Sequence, residues 1–147
     1  MRTKLKIAIM AIAFAITAPA FAQNDKATIY GSWEMTSLQS KNADGRVVEV
    51  PYSGQVIFAK DSTLSVQAMD ANPAAKSTPY TVNGYEAYYG PVEVNEGNRT
   101  FAITVKSSLV RDLIGQRLER KYEVTTDQLV ILPPNPAEGW RVTYKRQ

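Results

Sequence analysis

Through most of this chain apolar residues recur at every second position, the period of a strand whose successive side chains point to opposite faces. In "RTFAITVK" (99–106) Phe101, Ile103 and Val105 fall on one face, and Thr100, Ala102, Thr104 and Lys106 on the other. "RLERKYEV" (117–124) repeats the alternation with Leu118, Tyr122 and Val124 against Arg117, Glu119, Lys121 and Glu123, and "TLSVQA" does so with Leu64 and Val66. Turn residues separate such runs at hairpin intervals: Ala43-Asp44-Gly45, Lys60-Asp61-Ser62, Asn95-Glu96-Gly97-Asn98 and Thr125-Thr126-Asp127. The pattern predicts eight or nine strands, near 28–39, 46–50, 54–60, 63–69, 86–95, 99–106, 116–125, 127–132 and 139–146. Consecutive hairpins make an antiparallel meander, and a meander of about eight strands closes most economically into an all-β, up-and-down barrel without free edges.

Two segments interrupt the alternation. "DANPAAKSTPYTVNG" (70–84) reads as a long connection. "SSLVRDLIGQ" (107–116) reads as a helical turn capped by Ser107 or Ser108, with Leu109, Leu113 and Ile114 turned inward. Both are expected at a barrel end, where loops control access.

The N-terminus follows a different rule. Arg2, Lys4 and Lys6 precede the apolar run "IAIMAIAFAITA", and Ala20 and Ala22 supply small residues before Gln23. This is the layout of a cleaved secretory signal over residues 1–22, leaving a single domain over 23–147 in the periplasm or outside the cell. The run is shorter than the roughly 20 residues of a spanning helix, and no cysteine follows to accept a lipid. Cleavage changes the charge. Three of the 17 basic residues leave with the signal, so 14 face 14 acidic ones and the mature chain is nearly neutral, with nothing to draw nucleic acid or an anionic surface by net charge. About 125 residues can bury a core without covalent staples, consistent with the absence of cysteine.

The absence of both histidine and cysteine removes imidazole bases, Ser-His-Asp and Cys-His triads, and His/Cys metal sites. No phosphate-binding glycine loop is present, and no metal or cofactor is implied. Glu34, Glu93, Glu119 and Glu123 fall on outward faces. The chemistry is therefore sought on the inward faces. In "YEAYYGPVEV" (85–94), inward Val92 and Val94 carry Gly90, Tyr88 and Glu86 inward with them and leave Tyr85 and Tyr89 outside. Tyr88 beside Gly90 suggests interior room. Arg120 lies between Leu118 and Tyr122 on an apolar face, where an unpaired charge costs several kcal/mol. Its partner is either Glu86, a carbonyl or a water, or else an anionic or carbonyl group of a ligand that the guanidinium can hold in two bonds.

In order along the chain, "GSWEMTSL" (31–38), "GQVIFAKDSTLSVQAMD" (54–70), "YEAYYGPVEV", "SSLVRDLIGQRLERKYEV" (107–124) and "TYKR" (143–146) resemble the bacterial lipocalin-like domain family. The resemblance implies a small calycin-type barrel that binds a small apolar molecule. It also implies that Trp33 of Gly31-Ser32-Trp33 packs against Arg146 of the last strand to close one end, although the same indole could stack on a ligand. Three functions are weighed: a binding barrel using Phe58, Glu86, Tyr88, Phe101, Arg120 and Tyr122; a filled barrel with a structural or protein-interaction role; and a noncovalent isomerase or cyclase with Glu86 and Tyr88 or Tyr122 as acid–base partners.

Overall fold

The computed structural model describes residues 27–147, so the expected leader and the cut before Gln23 lie outside the described residues. The chain forms β1 (Gly31–Lys41), β2 (Val47–Val50), β3 (Tyr52–Phe58), β4 (Thr63–Asp70), β5 (Tyr85–Asn95), β6 (Thr100–Thr104), β7 (Ser107–Ser108), β8 (Arg117–Val124), β9 (Gln128–Leu132) and β10 (Trp140–Arg146). The nine expected strands are all present, with ends displaced by at most three residues.

These segments amount to eight staves. β2 and β3 flank Pro51 and pair with opposite halves of β1, Leu38–Lys41 and Gly31–Glu34, so they are one stave broken by a residue that has no N–H to give the ladder. Likewise β6 and β7 pair with opposite halves of β5. All ladders are antiparallel between chain neighbours, and β1 pairs with β10 to close the ring. A closed antiparallel barrel of eight strands results.

The break in the β6/β7 stave explains Gly90. A Cβ there would lie 2.0 Å from the Thr104 carbonyl oxygen and 2.9 Å from the Lys106 nitrogen. The room expected beside Tyr88 is thus filled by main chain, and glycine is required for the close approach. From Thr104 the chain leaves the ladder: Val105 exchanges hydrogen bonds with Gly115 and Gln116 at 2.8 and 2.9 Å.

That detour corrects the helical turn expected over 107–116. Ser107 and Ser108 are taken up pairing with Tyr89 and Tyr88, which would otherwise present an open edge. Too few residues then remain before the return at Gly115 for more than a 3-10 turn, Arg111–Leu113, whose preceding residue is Val110 and whose end has no side-chain cap. Leu113 is buried as expected, but Leu109 and Ile114 are exposed.

The core is densest at one end of the barrel, where Ile29, Trp33, Val56, Phe58, Ile103 and Leu129 are almost completely shielded from water. Phe58 meets Phe101 edge to face with centroids 5.0 Å apart, and Phe101 lies 6.3 Å from Tyr122. The indole N–H of Trp33 donates to the Ile29 carbonyl at 2.8 Å. Arg146 covers the ring at 4.0 Å and donates to the carbonyls of Thr28, Tyr30 and Thr126. Gly31 completes the arrangement: its φ of +134° is poorly tolerated by other residues, and a Cβ would sit 2.7 Å from an Arg146 nitrogen. The contact expected between Trp33 and Arg146 is thus made at this end of the barrel.

Candidate functional site

The opposite end contains a cavity of about 380 Å³, near the lower limit of the usual range for small-molecule sites. Its apolar wall includes Met35, Leu38, Val66, Phe101, Ile131 and Val142. These are inward positions of alternating strands, so the cavity is what remains where the interior is not filled by the large rings of the closed end. Broader hollows of about 690 and 590 Å³ also mark the barrel wall. The larger is flanked by the exposed charges Glu93, Arg117, Glu119 and Lys121, and the other by outward chains such as Gln55, Gln67 and Tyr89. Each touches a single inward polar residue, Arg120 and Tyr88 respectively, whereas the central cavity brings Glu86, Tyr88, Arg120 and Tyr144 together.

Of the six residues expected to contact a ligand, Glu86, Tyr88, Phe101 and Arg120 line the central cavity. Phe58 and Tyr122 are inward but do not line it; both belong to the buried core with Trp33. Strand alternation places them on the right face, whereas depth along the barrel axis, which alternation does not carry, puts them below the cavity floor.

Glu86 projects from β5 opposite Ala68 of β4. It keeps some accessible surface because it faces the cavity, yet it is shut away from bulk water. That burial, the largest influence, lifts its carboxyl to about 7, against the opposing pull of the Arg120 charge and a hydrogen bond from Tyr88. The Tyr88 hydroxyl is pushed well above the normal phenol range, chiefly by burial and then by the Glu86 charge. Tyr144 of β10 is shifted the same way for the same two reasons. No described residue supplies a hydrogen-bond partner to the Tyr144 hydroxyl, and no side-chain polar atom without a partner is wholly shut off from solvent-sized space; this hydroxyl accordingly opens on the cavity.

Arg120 occupies the mouth. Its guanidinium lies 5.3 Å from the Trp140 ring centroid and 5.9 Å from that of Tyr80, an arrangement that suits a flat, weakly hydrated cation. One nitrogen donates to the Glu119 carbonyl at 2.7 Å. Among the described residues Arg120 forms no ion pair; the charge pairs are Arg46–Asp44, Arg117–Glu93, Arg117–Glu119, Arg141–Glu123 and Lys145–Glu34, all exposed. Of the bland partners considered from the sequence, a carbonyl is used, and Glu86 acts on Arg120 only at longer range.

Tyr80 comes from the long connection between β4 and β5, which folds over the mouth. Thr78 and Thr81 are tied to each other by hydroxyl and main-chain hydrogen bonds of 2.9–3.3 Å, and Thr81 is buried within a loop most of whose residues are exposed. Thr78, Tyr80 and Thr81 all reach the cavity. Sequence reasoning missed Tyr80, Trp140 and Tyr144. The last was within reach: placing Arg146 inward also places Tyr144 and Val142 inward by alternation. The first two depend on a loop path and a strand end.

Among the described residues no helix is long and apolar enough to cross a membrane, and no group of three or more carboxylates could hold a metal ion. Comparison with curated proteins finds no match. Among solved structures, the chain is similar to the crystal structure of a DUF4847-family protein from Bacteroides vulgatus, with 12% identity, 80% of this chain and 92% of that chain covered, and a TM-score of 0.44. The family model described as the lipocalin-like domain matches residues 30–145, from the residue before β1 to the last strand. The chain therefore belongs to the lipocalin-like domain family.

Proposed function

We propose that this protein is an exported binding barrel that holds a small, largely apolar molecule by its tail in the cavity and by an anionic or carbonyl head at Arg120. One observation carries the reading: a cavity with a largely apolar wall opens at a guanidinium that has no carboxylate partner among the described residues. A barrel of eight strands either holds one small ligand or is filled by side chains, and the cavity supports the first. Export rests on the leader pattern of residues 1–22; mass spectrometry of the secreted or periplasmic chain should find Gln23, or a residue within one or two of it, at the N-terminus.

The direct test compares dodecanoic acid with dodecanol on the wild-type protein and on Arg120→Met. Methionine retains much of the volume and can still pack on Trp140. The acid should lose at least about 2 kcal/mol of affinity, the low end for removing one partner of a buried charge pair, and the alcohol much less. Equal losses for the two compounds would refute a head-group role for Arg120.

A second reading, proton transfer on a bound molecule, draws on the Glu86 carboxyl at about 7 beside Tyr88, the range suited to a general base at neutral pH. It predicts Glu86-dependent exchange of the α-hydrogens of 2-decanone with deuterated water. An exchange rate equal in wild type and Glu86→Gln removes it.

A further inference from the structure

Resting on the binding reading above, we propose that the cavity takes up an acidic apolar ligand together with one proton: the ligand carboxylate lies within reach of both the Arg120 guanidinium and the Glu86 carboxyl, and Glu86 keeps the proton and donates its O–H as a hydrogen bond to the ligand carboxylate.

The geometry carries this. Glu86 and Arg120 face one cavity from β5 and β8, but no ion pair joins them. A carboxylate head drawn to Arg120 therefore enters a space already containing a second carboxyl. Two carboxylates sharing an enclosed site cannot both stay ionised, and one keeps a proton. The other groups around Glu86 favour its being that one. Tyr88 on the same strand, Tyr144 on β10 and Tyr52 on β3 are all phenols whose ionisation is suppressed, by burial first and by the Glu86 charge among the further causes. They add no positive charge. Asp70 on β4, which with Glu86 acts on Tyr52, adds negative charge, and one of its oxygens is engaged by the Asn72 N–H at 2.8 Å. Among the described residues Arg120 is the one cation acting on Glu86, and a ligand anion would divert its field. Burial already raises Glu86 to about 7; a bound anion moves it further in the same direction, so the proton is taken from solvent whenever binding occurs above that pH.

The sign follows from linkage. Below about pH 7 Glu86 already carries its proton and dodecanoate affinity is constant. Above it, each bound anion must recruit one proton, and affinity falls by up to about tenfold per pH unit. Dodecanol brings no charge and shows no comparable fall.

The experiment is isothermal titration of the purified protein with dodecanoate and with dodecanol between pH 6 and 9, in paired buffers of different ionisation enthalpy. The expected result at pH 8 is uptake of close to one proton per dodecanoate and close to none per dodecanol. Glu86→Gln, which keeps a hydrogen-bond donor and cannot ionise, should bind dodecanoate with little pH dependence and without proton uptake. Because uptake is read on the wild-type protein, the test survives a poorly folded variant. Dodecanoate binding that is flat from pH 6 to 9 and takes up no proton overturns the coupling while leaving the binding reading intact. Failure of both compounds to bind at any pH overturns both.

Discussion

Replacing Trp33 and Arg146 singly and together probes the closed end of the barrel. Trp33 is 0% exposed, so Trp33→Ala removes a full indole from packed surroundings and should cost about 3–5 kcal/mol. Arg146→Ala loses the cation–π contact, worth roughly 0.5–2 kcal/mol. It also strips three carbonyls, at Thr28, Tyr30 and Thr126, of a charged donor. In a fully buried setting each such bond is worth about 1.5–3 kcal/mol. Here Arg146 is half-buried and water can take over part of the bonding, so the single change should cost about 2–3 kcal/mol in all, less than loss of the indole. The 4.0 Å contact makes the two losses non-additive, with a coupling of about 1 kcal/mol. Arg146→Lys keeps the charge but not the planar fork that reaches three carbonyls, so it should recover little. Urea unfolding measures each midpoint, and an unchanged m-value would show that the denatured state is not responsible. A coupling within about 0.3 kcal/mol of zero would refute the pairing, and full rescue by lysine would refute the role given to the fork.

The remaining predictions concern Glu86 and Gly90 of β5, which faces the break in the fifth stave, β6/β7. Because the folded state holds the Glu86 proton to about pH 7 while the unfolded chain releases it near 4.3, stability should fall as pH rises between those values; Glu86→Gln should be nearly neutral at pH 4 and stabilise the ligand-free protein by up to about 3 kcal/mol at pH 8. Thermal unfolding at the two pH values reads this, and a benefit that is equal at both would contradict burial of the carboxylate. Gly90→Ala forces a Cβ against the Thr104 carbonyl and should cost at least about 2 kcal/mol, whereas Gly97→Ala, whose nearest neighbour is a side-chain oxygen of Asn95 at 3.4 Å, should stay within about 0.5 kcal/mol; similar unfolding midpoints for the two variants would count against the close approach.

The strands were legible because one face of each is buried and the other wet, which writes a period of two directly into the sequence. That signal fixed the inward set Glu86, Tyr88, Phe101 and Arg120, and equally the outward Glu34, Glu93, Glu119 and Glu123, which all lie exposed. It carries no coordinate along the barrel axis, and so Phe58 and Tyr122 were grouped with residues that lie nearer the mouth. It is also silent wherever main chain, not side chain, decides the geometry. Gly90 appeared to leave a space because the Thr104–Lys106 backbone that enters it belongs to a different stave. Ser107 and Ser108 appeared to be helix caps because serine suits a cap, and nothing local shows that the edge of β5 lacks a partner there. The Tyr80–Arg120–Trp140 cluster joins a loop, a strand interior and a strand end, three places whose meeting depends on closure of the whole ring.

The two ends of this barrel handle the same problem differently. Each places an arginine against a tryptophan, but at the closed end Arg146 lies over a fully buried ring and spends its hydrogen bonds on three main-chain carbonyls, whereas at the mouth Arg120 lies beside Trp140 with one carbonyl contact. A cation whose donors are consumed by backbone is locked, and changing it is a stability experiment. With donors left over in an apolar recess, a cation gains by meeting an external acceptor, and changing it is a binding experiment. Glu86 does not consume the remaining capacity of Arg120, because burial favours its neutral form and no direct pair is made. Thus the property that makes Glu86 an unfavourable ionised group also leaves Arg120 available for a guest, and the stability lost by Glu86 between about pH 4.3 and 7 and the affinity lost by an acidic ligand above about pH 7 have one physical origin.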